Sequence, residues 1–291
     1  MYDVIIIGKG PAGISAALYT HRANLKTLVV GRNNSSVIKA HSVDNYYGVP
    51  KISGADLIQT GINQAKDLGI EIVDEEVISM GMEESFIVLT KNNKFEAKTV
   101  LMATGQPYKK INIENVDNLE GKGISYCTTC DGFFYKGLKV GVLGYNDFTI
   151  HEANELTAFT KDIVIFTNGR KLELSETYEN DIKNFEVVED EIIKFDGNEF
   201  LDSVVFKNGK SEKINGMFIA YGSASSTDFA RKLGILTNDD QKSIKVDQNY
   251  MTSLEGVFAA GDCIGGFNQI STAVGEGAIA AKSIIKFARE N

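Results

Sequence analysis

The stretch YDVIIIGKGPAGISAALYTHRANLKTLVVGR, starting at Tyr2, constrains this chain more than any other. Val4–Ile7 is an unbroken apolar run, the pattern of a strand buried on both faces. Gly8-Lys9-Gly10-Pro11-Ala12-Gly13 follows, then a helix rich in small residues, then a second apolar run over Thr27–Val30. Strand, glycine-rich turn, helix and strand make a βαβ unit with a dinucleotide fingerprint in its first turn. Gly8 permits the tight turn, Gly10 lets the backbone approach a pyrophosphate, and Gly13 lets helix and strand pack closely. The helix N-terminus adds N–H donors and partial positive charge. Pro11 suits a first helical turn, where a missing N–H costs nothing. The acid that holds a ribose roughly 20 residues on is absent. The chain reads Val30-Gly31-Arg32 there, so the backbone around Gly31 or the Arg32 side chain must serve.

The same order returns at 139–167. Val140–Leu143 is a strand, a helix is expected over Ile150–Phe159, and Ile163–Phe166 is the next strand. Its turn reads Gly144-Tyr145-Asn146-Asp147-Phe148-Thr149 and keeps only the first glycine of the fingerprint. Two such units, far apart in the chain, predict an α/β fold with two Rossmann-like domains of the three-layer ββα type. The last segment has no third fingerprint. It is expected to complete the first domain, giving 1–111 plus 222–291 around a central insert over 112–221. Ala103-Thr104-Gly105 and GVFAAGD, which contains Gly261 and Asp262, read as strand–turn units. Asp262 could accept hydrogen bonds from ligand hydroxyls. A C-terminal helix from about Ser271 to Arg289 should pack through Ala278, Ala281, Ile284, Ile285 and Ala288.

The net charge of −9 argues against a general nucleic-acid binder, which needs a basic footprint. No run approaches the ~18–20 apolar residues of a membrane span, and the opening strand does not resemble a signal peptide. A cytoplasmic protein is expected. In a reducing compartment, Cys127-Thr128-Thr129-Cys130 suggests redox chemistry or metal binding. Zinc needs about four ligands, and only His21, His41 and His151 are scattered elsewhere. A structural disulfide across so short a loop would restrain the unfolded chain little. A cycling dithiol is favoured, with Asp131 placed to relay the proton that thiol exchange must move. Cys263 has no cysteine nearby and reads as a small buried residue.

Taken together, GKGPAGISAALYTHRANL, ATG at 103–105, CTTCDGFFYKG, GVFAAGDC and QISTAVGEGAIAA resemble the low-molecular-weight flavin-dependent thioredoxin reductases, collinearly over essentially the whole chain. The resemblance implies FAD in the split domain, a redox-active disulfide in the central domain, thioredoxin as acceptor and a homodimer. It places Gly8, Gly10, Pro11, Ala12 and Gly13 at the FAD pyrophosphate. Asn45 would face the flavin and Val77 would lie beside the adenine. Thr104 and Gly105 would also touch the cofactor, Asp262 would bind the ribityl–phosphate region, and Gln269 and Ile270 would lie by the ring. The N-terminus of the last helix would favour negative charge on that ring. Cys130 matches the cysteine nearer the flavin, with Asp131 as proton donor.

The departures concern the second nucleotide. Members of the family carry a complete second fingerprint for NADPH. Here Asn146 replaces the glycine that admits the pyrophosphate, and Asp147 adds negative charge. The arginines that clamp the 2′-phosphate fall on Thr167-Asn168-Gly169-Arg170-Lys171-Leu172-Glu173, where both paired arginines are gone. Losing bidentate arginine–phosphate contacts costs roughly 1.5–3 kcal/mol each, so no NADPH binding is expected. In this the chain resembles the ferredoxin-dependent flavin thioredoxin reductases, which keep FAD and the cysteine pair but take electrons from ferredoxin. The loop Asn33–Ile38 also departs from the family. Lys9, Lys39, Lys109-Lys110 and Arg170-Lys171 are candidates for a basic docking face. The alternatives are an NADPH-dependent enzyme with a divergent site, in which Arg170 and Lys171 substitute, and an FAD-bound thiol redox sensor.

Overall fold

The computed structural model describes residues 1–33, 35–105, 111–239 and 242–290. The chain divides into two compact units, Met1–Pro107 with Ser225–Asn291, and Tyr108–Ala224.

The strands of the first unit are β1 (Tyr2–Ile7), β2 (Thr27–Val30), β3 (Glu71–Val73), β4 (Val77–Met82), β5 (Phe86–Thr90) and β6 (Lys94–Met102). They lie in the order β3-β2-β1-β6-β5-β4, with a last strand, Val257–Ala259, beside β6. β6 changes role along its length. Lys94–Ala97 pairs antiparallel with β5, while Val100–Met102 pairs parallel with Val257–Ala259. The parallel half reads as continuous apolar runs, and Val4–Ile7 and Leu28–Val30 are buried on both faces.

The helices of this unit include α1 (Pro11–Arg22) and α2 (Gly54–Asp67). Pro11 opens α1 as expected. The last helix of the chain, Ile270–Glu290, buries Ala273, Gly277, Ala280, Ala281 and Ile284. The expected stripe is thus partly corrected: Ala281 and Ile284 are inside, whereas Ala278, Ile285 and Ala288 are only half-buried. The reason is close contact with α1, since a Cβ on Gly277 would sit 2.2 Å from the Ala12 carbonyl oxygen. The small face therefore points inward and the isoleucine at 285 is turned away.

The second unit holds α3 (Val116–Leu119), β7 (Ile124–Ser125), α4 (Thr128–Asp131), β8 (Val140–Leu143), α5 (Asp147–Leu156), β9 (Ile163–Phe166) and β10 (Glu186–Val188). Then come β11 (Ile192–Asp196), β12 (Ser203–Phe206), β13 (Ser211–Lys213) and β14 (Gly216–Ile219). A parallel sheet runs β10-β9-β8-β14-β7, and β11-β12-β13 form an antiparallel sheet. Phe166, Phe195, Val204, Phe206 and Met217 fill its core. The segment returning to the first unit supplies α6 (Ser226–Lys232), β15 (Val257–Ala259) and α7 (Ile270–Glu290). Among the described residues no helix is long and apolar enough to cross a membrane.

Candidate functional site

In the first unit a cleft of roughly 210 Å³ opens at the start of α1, bordered by Gly10, Pro11, Ala12, Ala103, Gly105, Gly261, Asp262, Gln269 and Ile270. Three separated segments supply these residues: the β1–α1 turn, the end of β6, and the β15–α7 connection. Each lies at the carboxyl end of a parallel strand, where open α/β sheets bind ligands.

The three glycines of the turn have different reasons. Gly8 has φ +121°, and a Cβ there would lie 2.2 Å from the Ala103 carbonyl oxygen. On Gly13 it would lie 2.0 Å from the Gly8 carbonyl oxygen. Both are demanded by packing of the chain on itself. Among the described residues, a Cβ on Gly10 would find only Ser35 Oγ, at 3.8 Å. The protein leaves that space open, as close approach of a ligand requires. Gly10 is also the N-cap of α1 and makes no side-chain cap. The first N–H groups of the helix remain for an anion. This cradle fits the pyrophosphate of FAD.

Asn45 Nδ2 donates to Gln269 Oε1 at 3.3 Å, which ties Asn45 to the rim of the cleft. Burial raises the Asp262 carboxyl above its ordinary range. Burial also raises that of Glu276, a residue the sequence reading passed over, whose carboxylate accepts the Gly261 N–H at 2.8 Å. Only the contact between α7 and the 261 turn gives Glu276 this place. Ser35, Ser36, Val37, Ala40, Asn268 and Ala273 also line the cleft, and no motif in the sequence marks them. Part of the Asn33–Ile38 loop therefore does border the site, while Asn34 lies outside the described residues.

Arg32 and Val77 do not border this cleft. The Arg32 guanidinium instead pairs with Glu76 at 3.0 Å, next to Val77. Glu76 Oε1 is buried without a hydrogen-bond partner among the described residues, so an acid missing after β2 is present just before β4. Gly31 packs on the fingerprint, its Cβ position 3.2 Å from Gly8 Cα. Lys9 is not a docking residue: it is 5% exposed and pairs with Asp74 at 2.7 Å. Lys109 and Lys110 lie outside the described residues. Cys263 is buried, and burial pushes its thiol up to about 12.

In the second unit Cys127 and Cys130 form a disulfide. Cys127 is buried and caps α4, its Sγ accepting the Cys130 N–H at 3.1 Å. Cys130 is exposed. Phe133 and Phe134, 67% and 74% exposed, follow on the next turn. Asp131 accepts from Ser125 Oγ at 2.6 Å. Burial and then the Asp131 charge raise the Tyr135 phenol.

The turn after β8 differs from the turn after β1. The helix α5 starts at Asp147, not at Ile150, because Asn146 caps it. Asn146 Oδ1 accepts the Thr149 N–H at 3.4 Å, and Thr149 Oγ1 accepts the Asn146 N–H at 3.3 Å. Asn146 Nδ2 donates to the Gly222 carbonyl at 2.8 Å, and Thr149 Oγ1 also reaches the Ala220 carbonyl at 2.9 Å. The buried Asp147 accepts the Ser175 N–H at 2.7 Å. The Glu173 N–H donates to the Tyr145 carbonyl at 2.8 Å. Tyr145 meets Tyr221 edge-on at 5.2 Å, and the Arg170 guanidinium lies 5.4 Å from the Tyr145 ring centre. Gly144 persists because a Cβ would lie 2.1 Å from both the Ala220 carbonyl oxygen and Thr149 Oγ1.

Residues 2–277 match the family model for pyridine nucleotide-disulphide oxidoreductases. The thioredoxin reductase of Bacillus subtilis (strain 168) is 34% identical, aligned over 100% of this chain and 96% of its own. An atypical thioredoxin reductase from Desulfovibrio vulgaris Hildenborough is 38% identical, with a TM-score of 0.95 over 100% of this chain and 99% of its own. A ferredoxin-flavin thioredoxin reductase from Clostridium acetobutylicum is 28% identical, with a TM-score of 0.73 over 100% and 99%. A glycine-rich cradle for a flavin dinucleotide and a paired Cys-x-x-Cys are what such enzymes need, and this chain belongs to the thioredoxin reductases of the pyridine nucleotide-disulphide oxidoreductase family.

Proposed function

We propose that this protein reduces the disulfide of thioredoxin with electrons taken from reduced ferredoxin rather than from a nicotinamide dinucleotide. The observation that carries this is the β8–α5 turn, where Asn146 and Thr149 cap the helix reciprocally and the buried Asp147 carboxylate, held by the Ser175 N–H, stands at its start. A phosphate arriving there would have to displace a buried cap and meet the Asp147 carboxylate. The likeness to the C. acetobutylicum ferredoxin-flavin thioredoxin reductase supports the same reading.

Gly10, Pro11, Ala12, Asp262, Gln269 and Ile270 would hold FAD, with Gly8 and Gly13 keeping the cradle in shape. FAD, when bound, supplies a two-electron store between a one-electron donor and a two-electron disulfide. Low-potential ferredoxins near about −400 mV and thioredoxin near about −270 mV leave a gap of roughly 130 mV. For two electrons that is about 6 kcal/mol downhill, so no hydride donor is required.

Once reduced, Cys127 and Cys130 carry two thiols. One thiolate attacks a sulfur of the thioredoxin disulfide and forms a mixed disulfide. The other then attacks, releases thioredoxin as its dithiol and restores Cys127–Cys130. Asp131, held by Ser125, would give and take the proton on the Cys130 side. The exposure of Cys130 and of Phe133 and Phe134 suits an approaching protein substrate.

The test is anaerobic mixing of the FAD-loaded protein with excess NADPH, then NADH, then reduced ferredoxin and thioredoxin. Flavin absorbance should fall, and thioredoxin thiols appear, only with ferredoxin. Rapid stoichiometric bleaching by NADPH overturns the reading in favour of a divergent nucleotide site. Bleaching by ferredoxin with no thioredoxin thiols points to a redox sensor.

A further inference from the structure

Beneath the disulfide-bearing turn, α5 presents His151, Glu152 and Glu155. Thr128, between the two cysteines, is buried, and its Oγ1 lies 2.6 Å from Glu152 Oε2 and 2.8 Å from Glu155 Oε2. A hydroxyl carries one proton and can donate to only one of these oxygens. If both carboxyls were ionised, the second oxygen would face a hydroxyl lone pair at contact distance, inside a site where Glu152 is 3% exposed. Like charges within 4.8 Å of one another, one of them buried, disfavour joint ionisation. Both contacts become hydrogen bonds when one carboxyl keeps its proton and donates it to Thr128 Oγ1, while Thr128 donates to the other. Glu152, 3% exposed, is more deeply desolvated than Glu155, whose side chain is 33% exposed, and so keeps the proton.

We propose that Glu152 and Glu155 share one proton across the Thr128 hydroxyl, forming a buried proton store one residue from Cys127. Other groups face the cluster. Tyr178, its phenol pushed up to about 12 by burial and by the charges of Asp147, Asp181 and Glu155, lies 3.4 Å from His151 Nδ1. Thr129 Oγ1 reaches Glu155 Oε2 at 3.3 Å. On the far side of α4 stands Asp131, bonded to Ser125.

The store has a use in thiol–disulfide exchange. When an external dithiol attacks the exposed Cys130 sulfur, the S–S bond breaks and Cys127 Sγ leaves with the electron pair. The second sulfur of the dithiol then displaces Cys130. The dithiol becomes a cyclic disulfide, two electrons enter the protein, and both cysteines take up protons. Asp131 adjoins Cys130, and the Glu152–Thr128–Glu155 set adjoins Cys127. These residues act through Thr128 and are positioning residues. The inference stands on the geometry of the disulfide turn and does not depend on the electron donor.

Infrared spectroscopy of the full FAD-loaded protein, carrying isotope-labelled glutamate, reads the store directly. At neutral pH we expect a protonated-carboxyl band that moves with the label. It should vanish in Glu152→Gln and in Thr128→Val but persist in Glu276→Gln, which removes a half-buried glutamate of the other unit. Glutamine mimics the protonated acid as donor to Thr128, so Glu152→Gln should fold. Dithiothreitol reduction of its disulfide should slow about tenfold and lose part of its pH profile. Absence of the band, its survival in both Glu152→Gln and Thr128→Val, or one divalent metal retained per chain after desalting overturns the proposal.

Discussion

The turns after β1 and after β8 begin alike and end differently. Both follow a buried parallel strand, both keep a glycine where the chain crosses another backbone, and both open a helix. At the first, position three is Gly10, which leaves an open space and an uncapped helix end. At the second it is Asn146, which closes a capping box and ties it to Gly222. Where the first turn has Gly13, the second has Thr149, whose hydroxyl fills the gap and reaches Ala220. One turn stays unfinished so that a ligand can complete it. The other is completed by its own sequence. The lesson is that a fingerprint can lose two glycines while every structural demand of the βαβ unit is still met.

This contrast can be broken by substitution. The largest effect is expected from Gly13→Ala, because the added Cβ lands 2.0 Å from a backbone oxygen that cannot move aside. A loss of about 3 kcal/mol in urea unfolding is expected, at the upper end for overpacking. A midpoint like that of the parent protein would show that the turn can relax.

Asn146→Ala should cost about 2 kcal/mol, a cap plus a buried hydrogen bond. It should not create NADPH binding, since Asp147 and Glu173 remain. Calorimetric titration with NADPH checks the second half, and micromolar binding by this variant would mean that Asn146 alone closed the site.

Gly10→Ala sharpens the comparison from the other side. Its φ of −78° is ordinary and its Cβ meets nothing closer than 3.8 Å, so the apoprotein should unfold as the parent does. Its FAD affinity should fall at least tenfold, about 1.4 kcal/mol. Equal affinity would remove Gly10 from the pyrophosphate.

The smallest effect concerns Glu276, which holds the Gly261 turn at the edge of the cleft. Glu276 titrates higher in the folded protein than in the unfolded chain, because burial and then the Asp262 charge disfavour its ionised form. The cost of ionising it is therefore fully present above its folded range and disappears below the unfolded range near about 4. Glu276→Gln should melt above the parent apoprotein at neutral pH, and the gap should close as pH falls through the carboxylate range. A gap independent of pH would place the effect elsewhere.

Much of this was legible in the sequence, because periodicity and glycine spacing are local. Val4–Ile7, Thr27–Val30, Val140–Leu143 and Ile163–Phe166 are strands as the apolar runs indicate. Pro11 opens its helix, and the α/β class follows from the two βαβ units. The sequence could also say that the second fingerprint had lost two glycines. Tertiary structure decided what took their place. The Asn146–Thr149 capping box is local, but it is tied to Ala220 and Gly222 only because that strand end passes within hydrogen-bonding reach, from far along the chain. Glu276 holds the Gly261 turn beside the cleft only because α7 packs on that turn. Lys9 is removed from the surface by Asp74, and Arg32 is engaged by Glu76. His151, Glu152 and Glu155 look like an ordinary polar stretch of helix until α4 sets Thr128 between two of them. Local patterns fix backbone conformation through short-range sterics and burial. Which polar group meets which depends on segments that only the folded chain brings together.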